Sequence, residues 1–206
     1  VVRHPTRWNL GEPARRLYAA GLMSMKGTIC LYQGEELGLT EAYVAYEDLQ
    51  DPYGKRFWPK FRGRDGCRTP MPWDRGAANG GFSDAKPWLP VAVEHLERAV
   101  GVQNADPGST LAFYRRLLAF RKDHPALAKG ALRVVDATDE VLSLIRMHEG
   151  ASLFCAFNLT DRVQRVALPA GQWRRDGSAP FDATERDGEI ELPAWQGYFA
   201  VAEGDL

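Results

Sequence analysis

The stretch Gly27 to Gly38, GTICLYQGEELG, constrains this chain more than any other. Thr28 to Tyr32 is a continuous β-branched and apolar run, with Gly27 before it and Gly34 after it. A run that short, without polar alternation, predicts a strand buried on both faces, the habit of parallel sheets. Glu35 and Glu36 follow in a sharp polar turn. Carboxylates just past the carboxyl end of a parallel strand stand where α/β enzymes place their working face. The same two acids suit a plainer role as well, one capping the next short helix and the other facing water.

The residues before that run prepare it. Val1 to Trp8 carries Arg3, His4, Arg7 and Trp8, an entry suited either to the rim of a site or to a charged surface. Pro13 opens a helix at a favoured first-turn position, Glu12 meets the positive end of its dipole, and Gly27 ends it. Helix, glycine, buried strand is one step of a repeating α/β fold.

Thr40 to Leu89 differs in kind. It is rich in Gly, Pro, Trp, Phe and Arg, and only Tyr43 to Leu49 has a helical pattern. Loops of such length are uncommon in compact domains unless they are functional. Phe57, Trp58, Phe61, Trp73, Phe82 and Trp88 alternate here with Arg56, Arg62, Arg64, Arg68 and Arg75. Aromatic faces suit the apolar faces of sugar rings, while Arg and Asp bond hydroxyls. Single-stranded nucleic acid stacks on such rings too. Asp48, Asp51, Asp65, Asp74 and Asp84 interrupt the arginines, however, and leave no basic track. A net charge of −1 likewise supplies no pull toward nucleic acid or an anionic membrane surface. The composition predicts a polyhydroxyl ligand.

Helical pattern returns over Glu94 to Ala105. Ser109 is then the N-cap of an amphipathic helix, Thr110 to His124, with Leu111, Tyr114, Leu117, Leu118 and Arg121 at the 3.6 period and Pro125 as its stop. From Ala131 the period changes to two. Strands are predicted at Leu132 to Val134, Val141 to Met147, Ser152 to Asn158, Arg162 to Leu168, Glu189 to Leu192 and Gly197 to Ala202. Strands gathered after α/β steps predict a separate antiparallel domain, with a boundary near Lys129-Gly130 and hence domains of residues 1–129 and 130–206. Cys30, Cys67 and Cys155 are odd in number and lack a CxxC spacing, which fits reduced thiols better than disulfides or a zinc site. No apolar run approaches the length that spans a bilayer.

Three motifs carry a family resemblance. LYQGEELGL, GRDGCRTPMPW (Gly63 to Trp73) and FYRRLLAFRKDHPAL (Phe113 to Leu127) resemble the α-amylase superfamily, glycoside hydrolase family 13, and within it the α-glucosidase and oligo-1,6-glucosidase branch. RDGCRTPMPW is the most specific of them. The resemblance covers the whole chain and implies the last αβ steps of an α/β TIM barrel, then an all-β antiparallel C-terminal domain, sandwich-like. Thr28 to Tyr32 becomes the eighth barrel strand, Thr40 to Leu89 the insertion after it that helps roof the active site, and Ser109 to His124 the closing helix.

The same resemblance implies a function and its parts. The activity is that of a retaining, exo-acting α-glucosidase on short α-glucosides such as maltose, with transglucosylation open to it. A glucosyl-transferring or isomerising relative (sucrose isomerase, trehalose synthase) shares the motifs, and a non-catalytic member kept as an interaction subunit is a rival from another class. In relatives an Asn-His-Asp motif holding the third catalytic carboxylate runs on into text like Val1-Val2-Arg3-His4, so no catalytic carboxylate is expected in this chain; the nucleophilic Asp and acid/base Glu lie earlier still. Arg68 matches the arginine that pairs with an early-loop aspartate to grip the first glucose, with Arg64 as the alternate and Arg3 as a brace for the missing aspartate. No cofactor is implied, and a structural Ca²⁺ or other cation would lie upstream. The implied partners are a small oligosaccharide or α-glucoside and the remainder of the same enzyme, without nucleic acid or membrane. No signal-like segment is visible, and a cytoplasmic location is expected.

Overall fold

The structure, a computed structural model, describes residues 3–203 apart from 8, 10 and 187. In chain order the helices are α1 (His4–Arg7), α2 (Glu12–Ser24), α3 (Pro52–Phe57), α4 (Val93–Leu96), α5 (Val100–Asn104), α6 (Thr110–Asp123) and α7 (Pro125–Lys129). The strands are β1 (Ala131–Ala137), β2 (Val141–His148), β3 (Ala151–Asn158), β4 (Gln164–Ala167), β5 (Trp173–Arg175), β6 (Thr184–Arg186), β7 (Glu189–Leu192) and β8 (Gly197–Ala202). Two compact units alternate along the chain: Val1–Glu12 with Leu31–Ala112, and Pro13–Cys30 with Phe113–Leu206. No helix among the described residues is long and apolar enough to cross a membrane.

The first unit is mostly loop, fixed by small apolar clusters. Leu37, Leu39 and Leu111 form one, with Met71 and Val100 against it; Val44, Leu49 and Leu89 form another, with Trp58 against it. Two sequence expectations fail here for identifiable reasons. The Tyr43 to Leu49 helix shrinks to a 3₁₀ turn at Tyr46–Asp48, and the regular helix, α3, starts just after it. Its start is written in Asp51-Pro52: the Asp51 carboxylate accepts from the Tyr53 amide at 3.1 Å, and Pro52 sits where a helix needs no amide donor. The helix expected over Glu94 to Ala105 splits into α4 and α5 at Ala99 (φ −56°, ψ 150°). The break lets the Val100 and Gly101 amides donate to the Pro72 and Trp73 carbonyls, each at 2.9 Å. Those tertiary bonds replace the intrahelical ones.

The second unit is built on antiparallel sheets. One has the order β1-β2-β3-β8-β5 and the other β4-β7-β6. Register follows side-chain alternation: Leu144 faces Cys155, Ile145 faces Phe154, and Phe154 also faces Ala200. Ile145, Phe154, Ala156 and Tyr198 then join Ile190 and Leu192 in one apolar core, with Trp173 against it. The opposite side of the large sheet receives α6, whose Phe120 ring meets Phe199 at 4.9 Å, while Phe113 meets Phe181 at 5.6 Å. With both faces covered, β3 is buried from Leu153 to Asn158.

Ser109 caps α6 as its position predicts, its hydroxyl accepting from the Ala112 amide at 3.1 Å. Pro125 does more than stop α6, because it opens α7. The buried parallel strand expected at Thr28 to Tyr32 is not formed. Thr28, Cys30 and Tyr32 are exposed and the segment has no ladder hydrogen bonds. A parallel strand takes its ladder from strands beside it, and the strand pairing described in this chain is antiparallel and confined to residues 131–202.

Candidate functional site

The GRDGCRTP loop is held by buried polar contacts rather than by secondary structure. Arg3 is its main pin. The side chain is 2% exposed and its guanidinium donates to the carbonyls of Gln33 (3.1 Å), Thr40 (2.8 Å), Gly66 (3.5 Å) and Cys67 (2.9 Å). One side chain thereby joins the turn after Tyr32 to the motif loop. Arginine suits the task because five donors in a rigid fork satisfy several carbonyls at once. Burial lowers its pKa first, while Cys67, Glu41 and others pull it back up.

Asp65 and Asp51 hold the other side. One Asp65 carboxylate oxygen accepts from the Gln50 amide at 2.7 Å and the Asp51 amide at 2.8 Å. Asp51 accepts from the Arg64 Nε and amide, each at 2.9 Å, and its bonds to Arg64 hold its carboxyl down at about 2 against the opposing effect of burial. The motif's glycines permit the closure. A Cβ on Gly66 would lie 2.4 Å from the Ala42 carbonyl oxygen, and one on Gly63 (φ +78°) would lie 2.9 Å from Asp51 Oδ2.

Glu35 and Glu36 are both engaged locally. Glu35 Oε1 lies 2.9 Å from His4 Nδ1, and its Oε2 accepts from the Tyr32 amide at 3.3 Å. Glu36 accepts from the Gly34 amide at 2.8 Å. Each carboxylate therefore braces its own turn.

The three arginines singled out from the sequence take different positions. Arg3 is buried, Arg64 lies half-exposed on Asp51, and Arg68 is exposed at the end of the 3₁₀ turn Asp65–Cys67, its amide donating to the Asp65 carbonyl at 2.9 Å. The nearby Tyr32 phenol oxygen is 3.3 Å from Cys67 Sγ. Burial first, and then the bond to Cys67, push that phenol above its ordinary pKa, with Arg3 and Arg68 acting in the opposite direction. Sequence reasoning missed the Tyr32–Cys67 contact beside Arg68's loop. Tyr32 fell in the run read as a buried strand and Cys67 among the cysteines read as reduced thiols, and neither motif signals the contact between them.

The aromatic side chains of the long loop fall into small groups: Tyr43 and Tyr46 meet Trp58 at 6.3 Å and 5.8 Å, and Tyr53 stacks on Phe57 at 6.3 Å. Arg62 covers Tyr43 and Trp58 at 4.8 Å and 5.7 Å from the ring centres. Trp88 lines a separate cleft of about 570 Å³ with Asp48, Gln50, Asn79 and Lys86. Among the described residues no three His, Cys, Asp or Glu side chains converge to hold a metal ion.

Comparison with known proteins gives the site its context. The family described as "Alpha amylase, catalytic domain" matches residues 3–130. A "Probable alpha-glucosidase" of Rhizobium meliloti (strain 1021) is 49% identical over 204 residues, covering 97% of this chain and 37% of that protein. An "Oligo-1,6-glucosidase" of Halalkalibacterium halodurans is 32% identical over 173 residues, which is 75% of this chain and 31% of that protein. Among solved structures, an "alpha-glucosyl transfer enzyme, XgtA" is 46% identical with a TM-score of 0.89, covering 98% of this chain and 38% of that one. The chain thus spans less than two fifths of the length of each of these three relatives.

Proposed function

This chain belongs to the alpha-amylase family, and on that footing we propose that it supplies the sugar-gripping loop of a retaining, exo-acting α-glucosidase. The whole protein would hydrolyse short α-glucosides such as maltose. The observation that carries this reading is a contrast at the motif loop: Arg3, Asp51 and Asp65 are buried and bonded around it, while Arg68 is exposed on it. A charged fork on a fixed loop can bond a sugar hydroxyl and a carboxylate together.

The chemistry needs two carboxyl groups about 5 Å apart, one as nucleophile and the other as acid and then base. Glu35 and Glu36 already bond His4, Tyr32 and Gly34, so the reacting pair and the stabilising aspartate are assigned to the rest of the protein. The first step forms a β-glucosyl ester on the nucleophilic aspartate and releases the leaving hydroxyl, protonated by the acid. The second returns the glucosyl unit to water or to another sugar hydroxyl. Similarity to a glucosyl-transfer enzyme supports the second acceptor.

The test is to give the full-length protein p-nitrophenyl α-glucoside, whose leaving group is not a sugar, and follow the first glucose formed by proton NMR. Retention predicts the α-anomer before mutarotation. No turnover, or the β-anomer appearing first, overturns the reading.

A further inference from the structure

We propose that the cleft beside Trp88 is a binding site for a neutral pyranose, glucose or a short glucoside. It does not rest on the role given to Arg68: no residue from Gly63 to Trp73 lines this cleft. Its volume of about 570 Å³ is that of sites which enclose a small organic molecule.

Two segments of the long loop supply its chemistry, and a buried contact brings them together. Leu89 is 2% exposed and packs with Val44 and Leu49. That cluster sets Lys86, Pro87 and Trp88 in one cleft with Glu47, Asp48 and Gln50. Gly80 also lines it, at a left-handed φ of +64°, where a Cβ would lie 3.2 Å from Leu96 Cδ2 and 3.4 Å from Val91 Cγ1. The side-chain amide of Asn79 donates to the Ser83 and Ala85 carbonyls at 2.8 Å and 3.1 Å, which fixes the chain that leads into Lys86. Pro87 and Pro90 then restrict the backbone on either side of Trp88 and Leu89. The cleft is therefore shaped before a ligand arrives, which favours affinity.

The lining selects a class of ligand. Trp88 is 67% exposed, more than any other Trp, Tyr or Phe among the described residues. An indole face is electron-rich, and the C–H bonds on one face of a pyranose ring present the matching positive edge. Hydroxyls circle the rim of such a ring. Glu47 and Asp48 can accept from them and Lys86 can donate to them. None of the three is in an ion pair among the described residues. An anion would meet the two carboxylates, and a cation would meet Lys86. A neutral ring with hydroxyls suits both signs at once.

The experiment uses the full-length protein labelled with 5-fluorotryptophan, the Trp88 fluorine resonance being assigned by its loss in Trp88→Phe. D-Glucose is the probe, since it has no glycosidic bond to break. The Trp88 resonance should shift and saturate with a Kd of about 1–10 mM. Glu47→Gln combined with Asp48→Asn should raise that Kd about ten-fold, the size of one charge-assisted hydrogen bond. No shift, a drift without saturation, or an unchanged Kd in the paired variant overturns the proposal. A shift with spermidine that glucose does not produce marks a cation site and overturns it too.

Arg68→Ala distinguishes this site from the function assigned above. The Trp88 titration should survive that substitution with its Kd within about two-fold of wild type; if it is abolished, glucose acts at Arg68 and the proposal fails. A full-length protein that cleaves no α-glucoside yet keeps the titration loses the assigned function and retains this site. Crystals of the full-length protein soaked in glucose give a second readout. The sugar ring should lie on the Trp88 indole, and a cleft filled by another part of the protein overturns the proposal.

Discussion

The Arg64 guanidinium closes on Asp51 through two contacts, Nε to Oδ2 at 2.9 Å and Nη2 to Oδ1 at 3.3 Å. The carboxylate is fully buried, whereas the Arg64 side chain is 40% exposed. Asp51 also caps α3 and receives the Arg64 amide. One carboxylate thereby closes residues 51–64 into a loop and starts the helix inside it. The pair is a structural clasp, and its energetics are those of a capped, half-solvated ion pair.

Asp51→Asn is therefore expected to cost about 1–2 kcal/mol of unfolding free energy at neutral pH, because the amide oxygen still accepts from backbone but the charge is lost. Urea denaturation of the full-length protein measures this. The pH dependence has a defined sign. The folded-state pKa of Asp51 is about 2 against an ordinary 3.8, so the unfolded chain takes up the proton first. The stabilisation is complete above the ordinary value and is lost as pH falls through about 2. Wild type and Asp51→Asn should converge in stability over that acid range; a gap that widens there contradicts the assignment.

Arg146 presents the opposite case, a guanidinium with no exposure at all. It donates to the carbonyls of Ser24 (2.7 Å), Met25 (3.0 Å), Gly130 (2.8 Å) and Ala131 (3.2 Å), joining the end of α2 to the start of β1. Burial lowers its pKa. Arg146→Ala leaves four carbonyls without that donor and a void inside the second unit, and should cost about 3–5 kcal/mol. Arg146→Lys should recover little, since an ammonium cannot reach four carbonyls as a planar fork does. Thermal melts of both variants check this, and a Lys variant as stable as wild type would contradict it.

The 206-residue chain alone should release no p-nitrophenol from p-nitrophenyl α-glucoside above the buffer rate. The reason is chemical rather than conformational. Its two adjacent acids in the LYQGEELG turn are spent on His4, Tyr32 and Gly34, and retaining hydrolysis needs two opposed carboxyls. Clear turnover by the purified chain would place the chemistry within it.

What the sequence made legible follows from how local each signal is. Ser109 and Pro13 act within one turn of their helices, and both mark helix starts. The apolar runs in Ser152 to Asn158 and Gly197 to Ala202 are long enough to mark β3 and β8. β5 and β6 are three-residue strands, Trp-Arg-Arg and Thr-Glu-Arg, whose polar composition hides them. Thr28 to Tyr32 has the apolar pattern of a buried strand, but pairing depends on neighbours and not on the run itself. Within the site, Arg68 and Arg64 were legible because they stand in a specific motif. The burial of Arg3 was not, since its four acceptors come from residues 33, 40, 66 and 67, far away in sequence. Tyr32 was read as core for the same reason: its relation to Cys67 is set by the tertiary fold.

The two motif arginines should separate stability from transition-state binding. On the role proposed for Arg68, Arg68→Ala in the full-length protein would remove a charge-assisted donor to the sugar and leave the aspartate that the resemblance pairs with it uncompensated. The expected loss is about 3–5 kcal/mol of transition-state stabilisation, or about two to four decades in kcat/KM on maltose. Arg68→Lys should recover little of it, because an ammonium cannot bond a hydroxyl and a carboxylate with fixed geometry. Arg64→Ala should instead lower the melting temperature through Asp51 while kcat/KM, measured well below that temperature, stays within a few-fold of wild type. Steady-state kinetics beside thermal melts distinguish the two. If Arg68→Ala kept nearly full activity while a folded Arg64→Ala protein lost it, the sugar-binding role would pass to Arg64 and the clasp would have to be reassigned.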